Sequence, residues 1–316
     1  MKIAIVDGVN QDIGLKVLFP AADYYINNIE IDKKESYKHY NFLPLKDWSK
    51  ITDTNYDILF VVIALYDAYP GTKFYKQNIA NILTNILKII DANNFKFVAV
   101  FDNYDYDYDP TMIVSNPKIN KFFKRNYNKL KSYQENVVPF PFIMFGEKSV
   151  IEKCDREIVT KKDYFKEKNN RIFFTGTIFN HEDAQYGVYR NRYIIYNDIK
   201  EVIYNPGNLP YNAFIETMRN SKYGLDILGV GEPNKRTFEI LLSGSLLLSE
   251  YNNLKWNFPE EFSEETIFKD KNDFFKKITD LNNNKELYDK CLENQFNIVN
   301  KYFNNVAIRE YILYNY

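Results

Sequence analysis

The sequence predicts an α/β protein of two doubly wound parallel-sheet domains facing a cleft. Three observations carry this: runs that are apolar throughout alternate with helical patterns, that rhythm starts twice, and 316 residues suffice for two ordinary domains. A chain of this length buries two cores without disulfides or metal.

In the first half KIAIVDG (2–8), DILFVVIAL (57–65), FKFVAVFD (95–102) and VVPFPFIMFG (137–146) are bounded by Gly, Asp or Pro and show no polar alternation. Such runs suit strands covered on both faces. The clearest helix is QNIANILTNILKIID (77–91), where Ile79, Ile82, Leu83, Ile86, Leu87 and Ile90 recur at three- and four-residue steps. The most basic segment, KINKFFKRNYNKLKSY (118–133), reads as an amphipathic helix with a solvated lysine face, and alternatively as an anionic acceptor or partner surface. Residues 147–170 are rich in charge and poor in periodicity, and read as the interdomain connection.

The rhythm restarts with the strand RIFFTGT (171–177), a helix around 188–199, the strand EVIYN (201–205), the helix 211–221 and the strand KYGLDILG (222–229). A loop, the helix KRTFEILLS (235–243), the strand SLLLSE (245–250), the short TIFKD (266–270) and terminal helices follow. The expected domains are 1–150, 151–295, and a tail at 296–316 forming a helix that returns toward the first. Ligands in such sheets bind beyond the carboxyl ends of the strands.

Net charge is −1, so no global field favours nucleic acid or an anionic membrane, and no nucleic-acid partner is expected. The 27 Tyr and 25 Phe accompany abundant Asn, Lys and Ile, as AT-rich codon usage produces, and are weak signs of sugar stacking. Cys154 and Cys291 lie far apart without a CxxC pattern, which fits a reducing compartment and excludes a Cys-rich zinc site. The start, MKIAIVDGVNQDIG, reads as a strand and polar turn, not a signal peptide. The longest apolar run, ILFVVIAL (58–65), falls short of the roughly 20 residues that cross a bilayer. A soluble, cytoplasmic protein with no transmembrane segment is expected.

The segment GVGEPNKRTFEILLSGSLLLSE (229–250) concentrates the candidate chemistry. With Asn234 as the cap of a helix beginning at Lys235, first-turn N–H groups form a positive end able to receive phosphate oxygens. Gly229 and Gly231 allow close approach to the backbone. Arg236 offers a bidentate fork to phosphate, and Glu239, three residues on, is an acceptor suited to ribose hydroxyls. A diphosphate beside a sugar ring would satisfy this set. Two alternatives stand: a GxGxxG fingerprint in which Asn234 occupies the third glycine position, so that close helix–sheet approach is not secured, and a simple Arg236–Glu239 pair across one helical turn.

SKYGLDILGVGEPNKRTFEILLSGSLLLSE resembles the donor-site segment of GT-B glycosyltransferases, particularly the exostosin-like and spore-protein-like branches. In the matching positions Ser221 and Lys222 precede the strand, Gly229 and Gly231 form the loop, Arg236 and Glu239 open the helix, and Gly244 turns into the next strand. FFTGTIFNHEDAQYGVYRNR resembles, more loosely, the first strand and glycine turn of the same domain followed by an arginine-bearing helix. The resemblance covers about residues 170–300 and implies two Rossmann-like domains, the first on the acceptor side. It implies a nucleoside diphosphate sugar donor, with UDP or GDP as the nucleotide, held by Thr175, Gly176, Gly229, Gly231, Glu232, Lys235, Arg236, Thr237 and Glu239. The acceptor would be a glycan, lipid-linked or protein hydroxyl. Retaining members often carry two glutamates with seven residues between them. Here the first position falls on Gly231, with Glu232 one residue displaced, which leans toward inversion.

An inverting transfer needs a base for the acceptor hydroxyl and cations for the departing diphosphate. The candidates are Asp102, at the end of FKFVAVFD, Asp67, just after ILFVVIAL, and His181, in the loop after FFTGT; each is equally able to cap a turn or sit on a surface loop. No cofactor and no metal site are expected. The rival is FDNYDYDYDP (101–110), whose DYD steps at 105–107 and 107–109 would serve a metal-dependent transferase or phosphohydrolase, since Mg²⁺ or Mn²⁺ takes hard oxygen ligands. A non-catalytic nucleotide- or sugar-binding protein is the second rival. P-loop, HExxH and GxSxG patterns are absent.

Overall fold

The structure, a computed structural model, describes residues 1–7, 14–26, 46–47, 51, 55–63, 75–103, 109–142, 153, 159–178, 187–229 and 233–316. Asp67, Asp105, Asp107, Cys154, His181, Gly231 and Glu232 lie outside them. The chain divides into two compact units: Met1–Glu152 with Leu254–Asn257 and Asn305–Tyr316, and Lys153–Asn253 with Phe258–Asn304.

The first unit runs β1 (Ile3–Asp7), α1 (Gly14–Leu18), β2 (Asp23–Ile26), β3 (Lys46–Asp47), β4 (Ile58–Ile63), α2 (Tyr75–Asp91), β5 (Phe97–Asp102), α3 (Thr111–Val114), β6 (Lys121–Lys124) and β7 (Val137–Pro139). All seven strands are parallel, in the order β3-β2-β1-β4-β5-β6-β7. Every residue of β4 and β5 is buried, which is why both segments are apolar without alternation. Leu59, Val61, Val98 and Val100 pack with Ile86, Ile89 and Ile90 of α2 in one core cluster. Phe60, Phe101, Phe123 and Phe140 form a row of ring contacts, with Phe101 and Phe123 stacked at 4.4 Å. The terminal helix, Asn305–Tyr314, adds Tyr311 to this row and bonds its hydroxyl to the Pro139 carbonyl at 2.9 Å. Part of the aromatic abundance therefore builds this core.

The basic segment 118–133 departs from expectation. Its lysines and aromatics mimic an amphipathic helix, yet Lys121–Lys124 is a strand between β5 and β7. Phe122, Phe123 and Lys124 are all 0% exposed. A four-residue strand covered on both faces has no period to display, so tertiary burial overrides the lysine pattern.

The second unit runs α4 (Lys161–Tyr164), β8 (Asn169–Phe173), α5 (Gly187–Ile199), β9 (Ile203–Tyr204), α6 (Tyr211–Arg219), β10 (Ser221–Asp226), α7 (Lys235–Ser243), β11 (Leu246–Glu250), β12 (Ile267–Phe268), α8 (Lys271–Asn283) and α9 (Lys285–Tyr302). Its five strands are parallel, in the order β12-β11-β10-β8-β9. Strand order reverses between β8 and β10, the place where doubly wound sheets open a crevice at their carboxyl ends. The terminal helix, α10, which the first unit claims, starts only at Asn305, since α9 runs unbroken through residue 296.

Close packing of α7 on β10 comes from an unexpected place. A Cβ on Gly224 would lie 2.6 Å from Cγ1 of Ile240, so the glycine that admits the helix sits on the strand. Asn234 can therefore occupy the third position of the GxGxxG-like pattern without holding α7 away. At the other end of α7, Gly244 takes the left-handed cap conformation at φ 79°.

Candidate functional site

α7 opens as expected at Lys235, with Asn234 in extended conformation accepting from Arg236 N–H at 2.8 Å and Thr237 N–H at 3.3 Å. The cap thereby occupies two first-turn donors that the sequence reading assigned to a ligand. What remains at this end is the positive pole of the helix and the side chains that ring it.

Those side chains are organised by Asp226, the last residue of β10, which the sequence reading missed. It is 2% exposed, and one carboxylate oxygen accepts from Asn234 Nδ2 at 2.9 Å while the other accepts from the Thr237 hydroxyl. Strand and helix are thus tied by one carboxylate, and the geometry of the cap follows from it. Thr237, an expected donor contact, instead turns its hydroxyl inward and is 4% exposed. A threonine at this position reads alike for either role until its rotamer is seen.

A second anchor holds the loop after β10. Arg192 of α5 donates from Nε to the Leu228 carbonyl and from Nη2 to the Ile227 carbonyl, both at 3.1 Å. Glu250, at the end of β11, accepts from Leu228 N–H at 3.0 Å and from Asn191 Nδ2 at 2.9 Å. Burial pushes the carboxyl of Glu250 up, against these two bonds. A Cβ on Gly229 would fall 1.8 Å from Arg192 Nη2, so this glycine makes room for a guanidinium. The arginine-bearing helix was the only sequence signal for Arg192.

Beside these anchors lies a crevice of about 270 Å³, lined by Thr175, Arg192, Phe214, Asn234, Lys235, Arg236 and Glu239. It brings together four of the expected residues: Thr175, Lys235, Arg236 and Glu239. The Arg236 guanidinium carbon lies 4.7 Å from the centre of the Phe174 ring, and a Cβ on Gly176 would meet Arg236 Nη2 at 2.5 Å. Gly176 therefore sets the position of the arginine. Glu239 is 6% exposed, with Lys153 at 3.1 Å and Lys235 at 3.3 Å from its Oε1. The expected pairing across the turn is thus with lysines, one of them from outside the helix.

Asp102, a candidate base, sits deep at the end of its strand. It ends β5 with 0% exposure, and the equally buried Lys124 ammonium of the adjacent strand stands 3.6 Å away. A carboxylate enclosed with a cation in this way balances charge inside the first unit. Its position at a strand end does not reveal which way the side chain turns. Of the Asp/Tyr loop, Asp109 is described: it accepts from Thr111 N–H at 2.9 Å, and bonds to Thr111 hold its carboxyl below the usual range. Lys222, at the amino end of β10, lies against the rings of Tyr223 and Tyr288 and donates to Asn282 at 2.9 Å. Among the described residues no helix is long and apolar enough to cross a membrane.

Residues 170–313 match the glycosyl transferase-like family. No curated protein sequence matches the chain. Among solved structures, phage T4 BGT in complex with UDP and Mn²⁺ is similar over 100% of this chain and 99% of its own, at 16% identity and a TM-score of 0.53. The complex of T4 BGT with its UDP-glucose substrate has the same coverage, at 12% identity and a TM-score of 0.52. A further structure of the phage T4 β-glucosyltransferase gives 14% identity and a TM-score of 0.52, again over 100% and 99% of the two chains. At these identities the likeness is one of fold. With two parallel-sheet α/β units and a switch-point crevice in the second, the chain has the GT-B fold, and residues 170–313 are similar to the glycosyl transferase-like family.

Proposed function

We propose that this protein transfers a sugar from a nucleoside diphosphate sugar to an acceptor hydroxyl, with inversion and without a metal ion. The observation that carries this reading is the crevice where Arg236, Lys235, Thr175 and Glu239 meet at the switch point of the second sheet. Arg236 and Lys235 receive the diphosphate, aided by the positive end of α7, and Glu239 accepts from the ribose. In the reaction the acceptor oxygen loses its proton to a general base and bonds to the anomeric carbon. The bond from that carbon to the diphosphate oxygen breaks, and the electron pair leaves with the diphosphate. Asp102, Asp67 and His181 are the proposed sources of the base. Gly231 and Glu232 are proposed as further donor contacts. The UDP and UDP-glucose bound by the T4 enzyme support a uridine donor as the first to test.

The test is a thermal-shift panel of UDP-, GDP-, ADP- and CMP-linked sugars, with and without chelator, followed by donor hydrolysis. One donor is expected to raise the melting temperature irrespective of chelator. Arg236→Ala should remove the shift, since a charge-assisted contact is worth about 1.5–3 kcal/mol. An unchanged shift in that variant would place the donor elsewhere. Loss of the wild-type shift on chelation would instead favour the metal-dependent alternative at the Asp/Tyr loop, and binding without turnover across varied acceptors would favour a binding protein.

A further inference from the structure

Lys153 lies outside the expected set and outside the family match. It is 7% exposed, and its ammonium stands 3.1 Å from Glu239 Oε1, donates to the Tyr211 hydroxyl at 2.5 Å and lies 4.4 Å from the centre of that ring. Lys235 reaches the same Oε1 at 3.3 Å, but its side chain is 34% exposed against 9% for Lys153. Solvent screens the Lys235 pair more strongly, so Lys153 dominates the field at this carboxylate.

Both cations act on one oxygen. Among the described residues, every hydrogen bond and ion pair of the Glu239 side chain falls on Oε1. Glu239 lines the crevice, and Oε2 is the oxygen left for whatever enters. A carboxylate clamped on one side and open on the other has a fixed orientation and a single acceptor edge. A vicinal diol complements that edge, and a site built to accept from a hydroxyl discriminates against the analogue that lacks it.

We propose that Lys153 is a positioning residue: by holding Glu239 through Oε1 it presents Oε2 to the pentose diol and makes the site select ribonucleotides over 2′-deoxyribonucleotides. The proposal rests on the donor reading given above. Removing the ammonium leaves Glu239 held, among the described residues, by the more exposed Lys235 alone, which lets the acceptor edge turn away while Arg236 still receives the diphosphate.

The test is calorimetric titration of the full chain with UDP, GDP and their 2′-deoxy counterparts, on wild type, Lys153→Met, Lys153→Arg and Arg236→Ala. Wild type should prefer the ribonucleotide of whichever base binds by about tenfold, the size of one hydrogen bond to a charged acceptor. Lys153→Met should weaken the ribonucleotide by about tenfold and the deoxyribonucleotide far less, bringing the ratio toward one, and Lys153→Arg should restore it. A wild-type ratio retained in Lys153→Met would overturn the assignment. If that variant does not fold, Lys153→Gln serves in its place: a collapsed ratio supports the proposal and an unchanged one sinks it. Failure of the donor reading looks different. Wild type binding none of the nucleotides, or Arg236→Ala leaving every affinity unaltered, would remove both readings. Arg236→Ala weakening all ligands alike while Lys153→Met keeps the wild-type ratio would remove only the role of Lys153.

Discussion

Asp226→Ala tests how the site is assembled. The carboxylate accepts from Asn234 Nδ2 at 2.9 Å and from the Thr237 hydroxyl, and Asn234 in turn caps Arg236 and Thr237 N–H. Thr237 is 4% exposed, so its hydroxyl loses its acceptor where water does not readily replace it, at about 1–3 kcal/mol. The amide of Asn234 borders the crevice and is resolvated, but a loosened cap costs about 1 kcal/mol. Relief from desolvating a carboxylate that is 2% exposed offsets part of this. The expected net loss is about 2 kcal/mol, or about 4–8 °C in the melting of a unit of this size. Differential scanning calorimetry measures it, with Asp226→Asn and Thr237→Val as comparators that each keep one bond and lose less. Donor affinity should fall in parallel, because Arg236 and Lys235 ride on the turn that Asp226 holds. Melting of Asp226→Ala within about 1 °C of wild type would mean that the cap is held by something else, and the account of the turn would fail.

Two further outcomes follow from packing and charge. Gly224→Ala places a methyl 2.6 Å from Cγ1 and 2.7 Å from Cγ2 of Ile240 and should cost about 1–3 kcal/mol in chemical denaturation, with Ile240→Ala recovering part of that loss in the double variant; additive losses would refute the clash. Lys168 donates to the Gly244 carbonyl at the carboxyl end of α7, and burial pushes its ammonium down to about 7. Between that value and the ordinary lysine range the unfolded chain carries a proton that the folded chain lacks, so stability should rise with pH across this window. Lys168→Met should flatten that slope, and an equal slope in both proteins would count against the burial.

The sequence by itself determined the parallel α/β class, the buried strands β4, β5 and β10, and the helix from Lys235 to Ser243 with its Asn234 cap. These are local: an apolar run bounded by breakers, a 3.6-residue period and a capping residue are each legible within about ten positions. Arg236 and Glu239 could be nominated for the same reason, since they share one helical turn. Tertiary structure alone decided what those residues touch. Lys153 reaches Glu239 across 86 positions of chain, Arg192 reaches Leu228 across 36, and Glu250 reaches the same residue across 22. It also decided the fate of Lys121–Lys124, a strand whose lysines resemble a helix surface, and of Asp102, whose carboxylate turns to Lys124. The physical reason is common to all of them: a side chain's type states what it can bond to, but burial and long-range register choose its partner, and neither is written in the spacing of neighbouring residues.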